Sequence, residues 1–193
     1  MAQIHVEHNP GHIQGLAIIT PTMHGDSRGY FMETYHQKEM YDAGLTLPFV
    51  QDNQSMSAKG VLRGLHYQKN YPQGKLVRVL VGLIYDVAVD LRKGSPTYGA
   101  YFGLLLDDQK NQMFYIPQGF AHGFLVLSET AIFQYKVTDF WHPDDEGGLA
   151  WDDPSVHVDW PLQQLGDHPV LLSDKDRRNP TLDELTKGGF AGF

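Results

Sequence analysis

An alternating run occurs at residues 84–90, which read Ile84-Tyr85-Asp86-Val87-Ala88-Val89-Asp90. In an extended chain every second side chain points to the same face, so this two-residue period is typical of a β-strand with one buried face. Residues 133–138, Phe133-Gln134-Tyr135-Lys136-Val137-Thr138, show the same alternation. Both runs therefore predict strands.

Short β-branched and aromatic runs, separated by Gly, Pro, Asn and Asp, fill most of the remaining chain. Many short strands with turn residues between them predict a sandwich, barrel or jelly roll, and hence an all-β protein. Two short helices are predicted, at Gln37–Ala43 and around Leu182–Leu185. The predicted strands are Gly15–Thr20, Gly29–Tyr35, Pro48–Ser55, Val61–Gln68, Lys75–Val81, Ile84–Leu91, Ala100–Leu106, Met113–Ile116, Gly123–Leu127 and Ile132–Thr138.

The length of 193 residues predicts a single domain spanning residues 1–193, since one hydrophobic core is sufficient at this size. Hydrophobic residues make up 41% and charged residues 20%, which excludes a disordered tail or a coiled coil. Three of the last six residues are glycine, at positions 188, 189 and 192, so the final few residues are predicted to be poorly ordered.

Charge and cysteine content exclude several function classes. The 15 Lys and Arg against 23 Asp and Glu give a net charge of −8, so nucleic acid is not an expected partner. The chain has no cysteine, which excludes disulfides, thiol nucleophiles and thiolate metal sites. No apolar run is long enough to span a membrane, and residues 1–20 lack the continuous apolar segment of a signal peptide, so we expect a cytoplasmic protein.

The first segment with catalytic residue types is Val61–Gln68, in which strand alternation places Gly64 and His66 on one face and Arg63 on the other. The glycine removes a side chain from the His66 face, which we interpret as room for a ligand. Arg63 is then expected to reach a neighbouring groove. A single histidine is more often structural, and the neighbouring segments favour a functional role here.

The second segment, Ile116–Phe124, has Pro117, Gly119 and His122 at the spacing of the second motif of the cupin superfamily, which it resembles. Cupins are jelly-roll β-barrels that often hold a metal, with ligands from a His-x-His motif and a following Glu. This chain has His66-Tyr67-Gln68 in the matching place and no carboxylate until Asp86. The resemblance therefore implies a cupin fold without a metal, and a metal-dependent cupin enzyme remains a minor alternative.

The third segment is residues 132–138, where Tyr135 shares a face with Phe133 and Val137 and so points inward. A buried phenol needs a hydrogen-bond partner. Two interpretations stay open, namely a core tyrosine and a proton donor facing a cavity.

These segments together resemble the dTDP-4-dehydrorhamnose 3,5-epimerase family over roughly residues 15–178, in family order. Matching stretches lie at residues 25–29, 49–53, 62–68, 73–78, 85–90, 95–99, 116–124, 135–136, 145–147 and 172–176. The resemblance implies inversion at C3 and C5 of dTDP-4-keto-6-deoxy-D-glucose, in dTDP-L-rhamnose biosynthesis for cell-envelope polysaccharide. Each carbon lies next to the ketone, so a base, an acid and an enolate-stabilising cation are sufficient and no cofactor is required.

By this resemblance, four residues carry the chemistry. His66 is the base, since an imidazole exchanges a proton near neutral pH, and Asp176 orients it. Tyr135 delivers a proton from the opposite sugar face. Lys75 lies near the ketone oxygen and stabilises the enolate.

The resemblance also implies residues that bind substrate, a dTDP-sugar, and a homodimer with exchanged N-terminal strands. In place of the tyrosines that stack on thymine in the family, this chain has Phe140 and Trp141. The expected substrate-binding residues are Arg28, Glu33, Gln51, Asn53, Arg63, His122, Trp141, Glu146 and Lys175. A 3- or 5-mono-epimerase and a non-catalytic nucleotide-sugar-binding cupin remain as alternatives.

Overall fold

The computed structural model describes residues 3–46, 48–190 and 192–193. It contains short helices and thirteen strands among these residues. The helices are α1 (Gln37–Asp42) and α2 (Leu182–Lys187). The strands are β1 (Ile4–His8), β2 (Ala17–Pro21), β3 (His24–Asp26), β4 (Gly29–Phe31), β5 (Gln51–Ala58), β6 (Leu62–Gln68), β7 (Lys75–Val81), β8 (Leu83–Asp90), β9 (Tyr101–Asp107), β10 (Met113–Ile116), β11 (Phe120–Val126), β12 (Thr130–Val137) and β13 (Glu146–Gly148).

The strands form two sheets packed as a sandwich, which confirms the all-β, jelly-roll expectation. The six-stranded sheet has the order β1-β2-β10-β7-β12-β5, and the five-stranded sheet has the order β13-β6-β11-β8-β9. The hairpin β3–β4 is a separate two-stranded sheet. Strands far apart in sequence, such as β2 and β10, lie side by side, so the chain crosses repeatedly between the sheets.

The predicted strands agree closely with those observed. Lys75–Val81 and Met113–Ile116 match residue for residue, and most of the others shift by one to three residues at their ends. The predicted strand Gly29–Tyr35 shortens to β4, which pairs only with β3. The strands β1, β3 and β13 were not predicted, because they are short, polar or rich in glycine.

Alternation on β8 places Ile84 and Ala88 between the sheets and Val87 and Val89 on the outer face. Both sets are buried, because the C-terminal third of the chain covers the outer face of the five-stranded sheet. The alternation along β8 predicts one buried and one exposed face. In the structure both faces are buried, and they contact two different hydrophobic clusters.

The C-terminal tail packs against this outer face, although its glycines predict little order. The rings of Phe190 and Phe193 lie 5.3 and 5.6 Å from that of Tyr67, on β6. The backbone of Phe193 exchanges hydrogen bonds with Leu91 and Lys93. The burial of these aromatic rings and the backbone hydrogen bonds offset the conformational entropy that the glycines lose when the tail is ordered.

In the described part of the chain, no helix combines the length and the apolar character that crossing a membrane requires.

Candidate active site

A cavity of about 320 Å³ opens between the two sheets at one end of the sandwich. Its wall brings together residues from the three segments that the sequence singles out. Side chains from both sheets line it, so that a ligand inside would be contacted on two sides. The lining residues are Gln54, Ser55, Arg63, His66, Lys75, His122, Gly123, Phe124, Phe133, Tyr135, Trp141 and Glu146.

Arg63 lines the same cavity as His66, so its predicted placement on the opposite face was wrong, although it also borders a neighbouring hollow as expected. The pairing of β6 with β11 explains this, since Arg63 lies opposite Phe124 while His66 lies opposite His122. Arg63 and His66 are three residues apart on β6, whereas their partners Phe124 and His122 are two residues apart on β11. This irregular pairing changes the alternation of side chains along β6 and turns Arg63 towards the cavity.

Gly64 allows the close approach of two strands, which corrects its interpretation as room for a ligand. A Cβ placed on it would lie 2.6 Å from the carbonyl oxygen of His122 and 2.7 Å from the Cα of Gly123. The φ of Gly64 is also +108°, a conformation that other residues rarely adopt. The glycine thus brings β11 against β6 and sets the position of His66 relative to His122.

His66 is held by a carboxylate 110 positions away in the sequence. Its Nε2 lies 2.5 Å from Oδ1 of Asp176, and Oδ2 of Asp176 accepts a 2.8 Å hydrogen bond from Ser173. Asp176 is only 5% exposed. Burial acts to raise the pKa of Asp176, but the hydrogen bonds from His66 and Ser173 outweigh it and lower that pKa, so the carboxylate is ionised beside the imidazole.

Tyr135 faces the cavity from the other sheet, on β12, whereas His66 is on β6. Its ring lies 5.5 Å from that of Phe133. Burial raises the pKa of Tyr135, and Glu146 raises it further. The phenol is therefore protonated at neutral pH, and a proton donor and a proton acceptor face one another across the cavity.

Lys75 forms part of the cavity wall and is 9% exposed. Its ammonium group donates a long, 3.5 Å hydrogen bond to the carbonyl oxygen of His66. Burial lowers the pKa of Lys75 to about 8, although Asp86 and Glu146 act in the opposite direction. A lysine of this kind supplies a positive charge in a region that excludes water, where a developing oxyanion is stabilised most.

His122 lies beside His66 and is hydrogen-bonded to a second carboxylate. Its Nε2 is 3.0 Å from both oxygens of Asp86, on β8. Burial lowers the pKa of His122, and Asp86 acts in the opposite direction.

At the mouth of the cavity, Glu146 forms an ion pair with Lys175, which itself borders an adjoining hollow of about 410 Å³. Trp141 is 55% exposed there, and its backbone N–H donates to the side chain of Gln51. Gln51 in turn donates to Asn53. Of these expected substrate-binding residues, Trp141 and Glu146 line the cavity and Lys175 borders the adjoining hollow. Gln51 and Asn53 are connected to Trp141 by hydrogen bonds and do not line the cavity.

Arg28 and Glu33 do not line the cavity of their own chain. Arg28 is paired with Asp26 on the exposed hairpin β3–β4, and its side chain is 88% exposed. Glu33 follows this hairpin, and one of its buried carboxylate oxygens has no hydrogen-bond partner among the described residues.

Four residues with a place in the site were not identified from the sequence, namely Gln54, Ser55, Asp86 and Ser173. Asp86 could have been recognised from the sequence, since it is a carboxylate within an apolar strand. Ser173 could not, because its hydrogen bond to Asp176 forms only in the folded chain.

Among the residues that the structure describes, no three His, Asp or Glu side chains are close enough together to hold a metal ion.

Comparisons with known proteins agree with this geometry. Residues 10–184 match the family model described as dTDP-4-dehydrorhamnose 3,5-epimerase. A protein of that name from Methanothermobacter thermautotrophicus is 52% identical over 172 residues, covering 89% of this chain and 92% of the relative. One from Pseudomonas aeruginosa is 53% identical over 167 residues, with 86% and 90% covered.

The fold is similar to the crystal structure of a dTDP-6-deoxy-D-glucose-3,5-epimerase from Legionella pneumophila Philadelphia 1 in complex with dTDP-4-keto-L-rhamnose. The TM-score is 0.91 at 45% sequence identity, with 98% of each chain covered. The matches extend over nearly the whole chain and include every strand that lines the cavity. The chain therefore belongs to the dTDP-4-dehydrorhamnose 3,5-epimerase family.

Proposed function

We propose that the cavity inverts both C3 and C5 of dTDP-4-keto-6-deoxy-D-glucose and produces dTDP-4-keto-L-rhamnose. The observation that carries this proposal is the placement of His66 and Tyr135 on opposite sheets, facing the same cavity. Inversion requires that a proton leave one face of a carbon and return to the other, so the base and the acid must lie on opposite sides of the sugar ring.

His66 removes the proton next to the ketone. The electrons of the broken C–H bond form the carbon–carbon double bond of an enolate, and the ketone oxygen takes the negative charge. Asp176 stabilises the imidazolium that forms and holds the ring in place. Lys75 stabilises the enolate oxygen.

Tyr135 then gives its phenolic proton to the same carbon from the opposite face. Return of a proton to the phenolate and loss of one from the imidazolium restore both groups, so the reaction has no net proton change. The same steps at the second carbon complete the double inversion. No hydride carrier or metal takes part in these steps.

The residues at the mouth suit the nucleotide. The guanidinium of Arg63 lies in the cavity wall and matches a diphosphate in charge and geometry. Trp141 presents an exposed ring to a base. Gln51, Asn53, His122, Glu146 and Lys175 are proposed as further contacts to the substrate.

We propose that two copies of the chain form a homodimer in which Arg28 and Glu33 of one copy serve the cavity of the other. Tyr30 and Phe31 on the hairpin β3–β4 are 57% and 68% exposed, which is typical of a surface that binds a partner. Arg28 is on the same hairpin and lies away from its own cavity.

Mixing two inactive variants tests this arrangement. A His66→Asn chain and an Arg28→Ala chain should each lose activity alone. In a mixed dimer one cavity has both His66 and the partner copy's Arg28, so activity should return after the chains are exchanged. If the mixture stays inactive although mixed dimers form, Arg28 does not act across the dimer.

Proton NMR in D₂O tests the reaction itself, with purified protein, dTDP-4-keto-6-deoxy-D-glucose and no added metal or cofactor. Deuterium at both C3 and C5 supports double inversion and contradicts a binding-only cupin. Exchange at one carbon indicates a mono-epimerase. No exchange, with the nucleotide sugar still bound, contradicts the proposed function. A cytoplasmic location, a single domain over residues 1–193 and a link to cell-envelope polysaccharide stay predictions.

A further inference from the structure

Three strands whose inner faces meet between the two sheets, β7 of the six-stranded sheet and the adjacent β8 and β11 of the five-stranded sheet, each carry one polar residue in the core. The residues before or after them on the same face belong to the apolar core between the sheets. Hydrophobic side chains would suit these positions, so three polar residues meeting there require an explanation. They are Lys75 before Val77 on β7, Asp86 between Ile84 and Ala88 on β8, and His122 between Phe120 and Phe124 on β11.

Asp86 is the member of this group that no local structure explains. It is fully buried, and in the described part of the chain its hydrogen bonds come only from Nε2 of His122. A buried carboxylate is costly unless several donors or an opposite charge compensate it. Burial raises the pKa of Asp86, and the nearby His122 and Lys75 oppose that rise.

Burial lowers the pKa of His122, against the opposing effect of Asp86, and the imidazole contributes to Asp86 through its hydrogen bonds. Lys75 is a buried cation that lines the same cavity as His122, and Asp86 raises its pKa against the effect of burial. The other titratable or charged groups that line the cavity with Lys75 are Arg63, His66, Tyr135 and Glu146, and Glu146 is the carboxylate among them. Glu146 also raises the pKa of Lys75, but less than Asp86 does, and Glu146 is paired with Lys175 whereas Asp86 has no Lys or Arg partner among the described residues.

We propose that Asp86 is a positioning residue, oriented by His122, whose negative charge keeps the Lys75 ammonium protonated and directed into the cavity. The proposal rests on the proposed function in one respect, namely that Lys75 stabilises the enolate. Without Asp86, burial would drive Lys75 to its neutral form within the pH range in which the enzyme works. Substrate would still bind, while the stabilisation of the enolate would be lost.

NMR titration of the protein with ¹³C-labelled lysine Cε tests the charge of Lys75 directly, and its signal is assigned from a Lys75→Arg variant. In Asp86→Asn we expect the titration midpoint of Lys75 to fall by at least about one pH unit, as for the loss of an adjacent opposite charge. Asp90→Asn is the matched control, because Asp90 is an equally buried acid on the same strand. It should leave the midpoint unchanged.

Kinetics provide the second measurement. Asp86→Asn should lower kcat with little change in KM, approaching but not exceeding the roughly 10²–10³-fold loss for removal of one oxyanion donor. The loss should grow as pH rises. In a Lys75→Met background the same substitution should cost nothing further, because the residue it acts through is gone.

An unchanged Lys75 midpoint in Asp86→Asn overturns the proposal, even if activity falls. The proposal is also overturned if Asp86→Asn lowers kcat by the same factor in the wild-type protein and in the Lys75→Met background. Asp86→Ser replaces the Asn variant if the latter does not fold. If the wild-type protein does not epimerise the sugar, the proposed function fails, and the NMR titration still decides whether Asp86 sets the charge of Lys75.

Discussion

Asp86 and Asp90 lie on the same strand, β8, and both are fully buried, yet their surroundings are opposite. Asp90 accepts hydrogen bonds from the guanidinium of Arg92 at 2.9 and 2.7 Å, and from the hydroxyls of Ser95 and Thr97 at 2.6 and 2.7 Å. Burial acts to raise the pKa of Asp90, but these bonds lower it to about 2. Asp86 has one side-chain donor, His122, and burial raises its pKa.

The difference separates two uses of a buried charge. The bonds around Asp90 close a tight turn after β8, and every partner lies within seven residues, so the carboxylate stabilises local structure. The partners of Asp86 come from other strands and line a cavity. Changes in the cavity group should therefore alter the reaction, and changes around Asp90 should alter the stability of the fold.

The largest expected effect comes from replacing His66, the proposed general base. His66→Asn should lower kcat by roughly 10²–10⁴-fold, the typical contribution of a general base, while the protein stays folded. Turnover of the nucleotide sugar and circular dichroism measure the two properties. The exposed His168 supplies the control, since His168→Asn should change neither. A His66 variant as active as this control would contradict the assignment.

Tyr135→Phe tests whether proton abstraction and proton return are carried out by different residues of the cavity. Removal of the hydroxyl should reduce inversion more than exchange of the substrate's protons with solvent, because His66 still abstracts a proton while its return from the opposite face fails. Both rates are measured by NMR in D₂O on one sample. Equal loss of the two would show that Tyr135 does not deliver the proton.

Asp90→Asn should act on stability alone. The shift of its pKa from 3.8 to about 2 corresponds to about 2 kcal/mol of unfolding free energy at neutral pH. Since the folded-state pKa is lowered, this contribution is complete above pH 3.8 and is lost as pH falls towards 2.

Urea unfolding at several pH values should thus show the wild-type and Asp90→Asn proteins converging in acid, with equal kcat at neutral pH. A difference in stability that does not depend on pH, or a loss of kcat, would contradict the comparison between the two carboxylates.

The smallest effect is expected at Ser173, which touches Asp176 rather than substrate. Ser173→Ala removes two hydrogen bonds to Asp176, one donated to its carboxylate and one accepted from its backbone N–H. Loss of the bond to the carboxylate, worth about 1 kcal/mol, should lower kcat about 5-fold and shift the acidic limb of the pH profile. Ser173→Thr keeps the hydroxyl and should restore both. If Thr is no better than Ala, the hydroxyl does not support Asp176.

Several features of the site could be anticipated from the sequence, and others could not. The motifs around His66, His122 and Tyr135 are contiguous in the chain and lie on or next to strands that the sequence predicts. The inward turn of Arg63 depends on the unequal pairing of β6 and β11, and a period of two cannot show this. The position of Arg28 depends on a hairpin that leaves both sheets.

The same division holds for the molecule as a whole. Periodicity of two, turn residues and motif order are local properties of the chain, and they are sufficient to identify most of the strands, the all-β class and the family. The Asp90 turn is local as well. The hydrogen bonds between His66 and Asp176 and between His122 and Asp86 join residues 110 and 36 positions apart, and the cavity forms between two sheets. The protonation of these residues depends on burial and on neighbouring charges, which exist only once the two sheets have packed together.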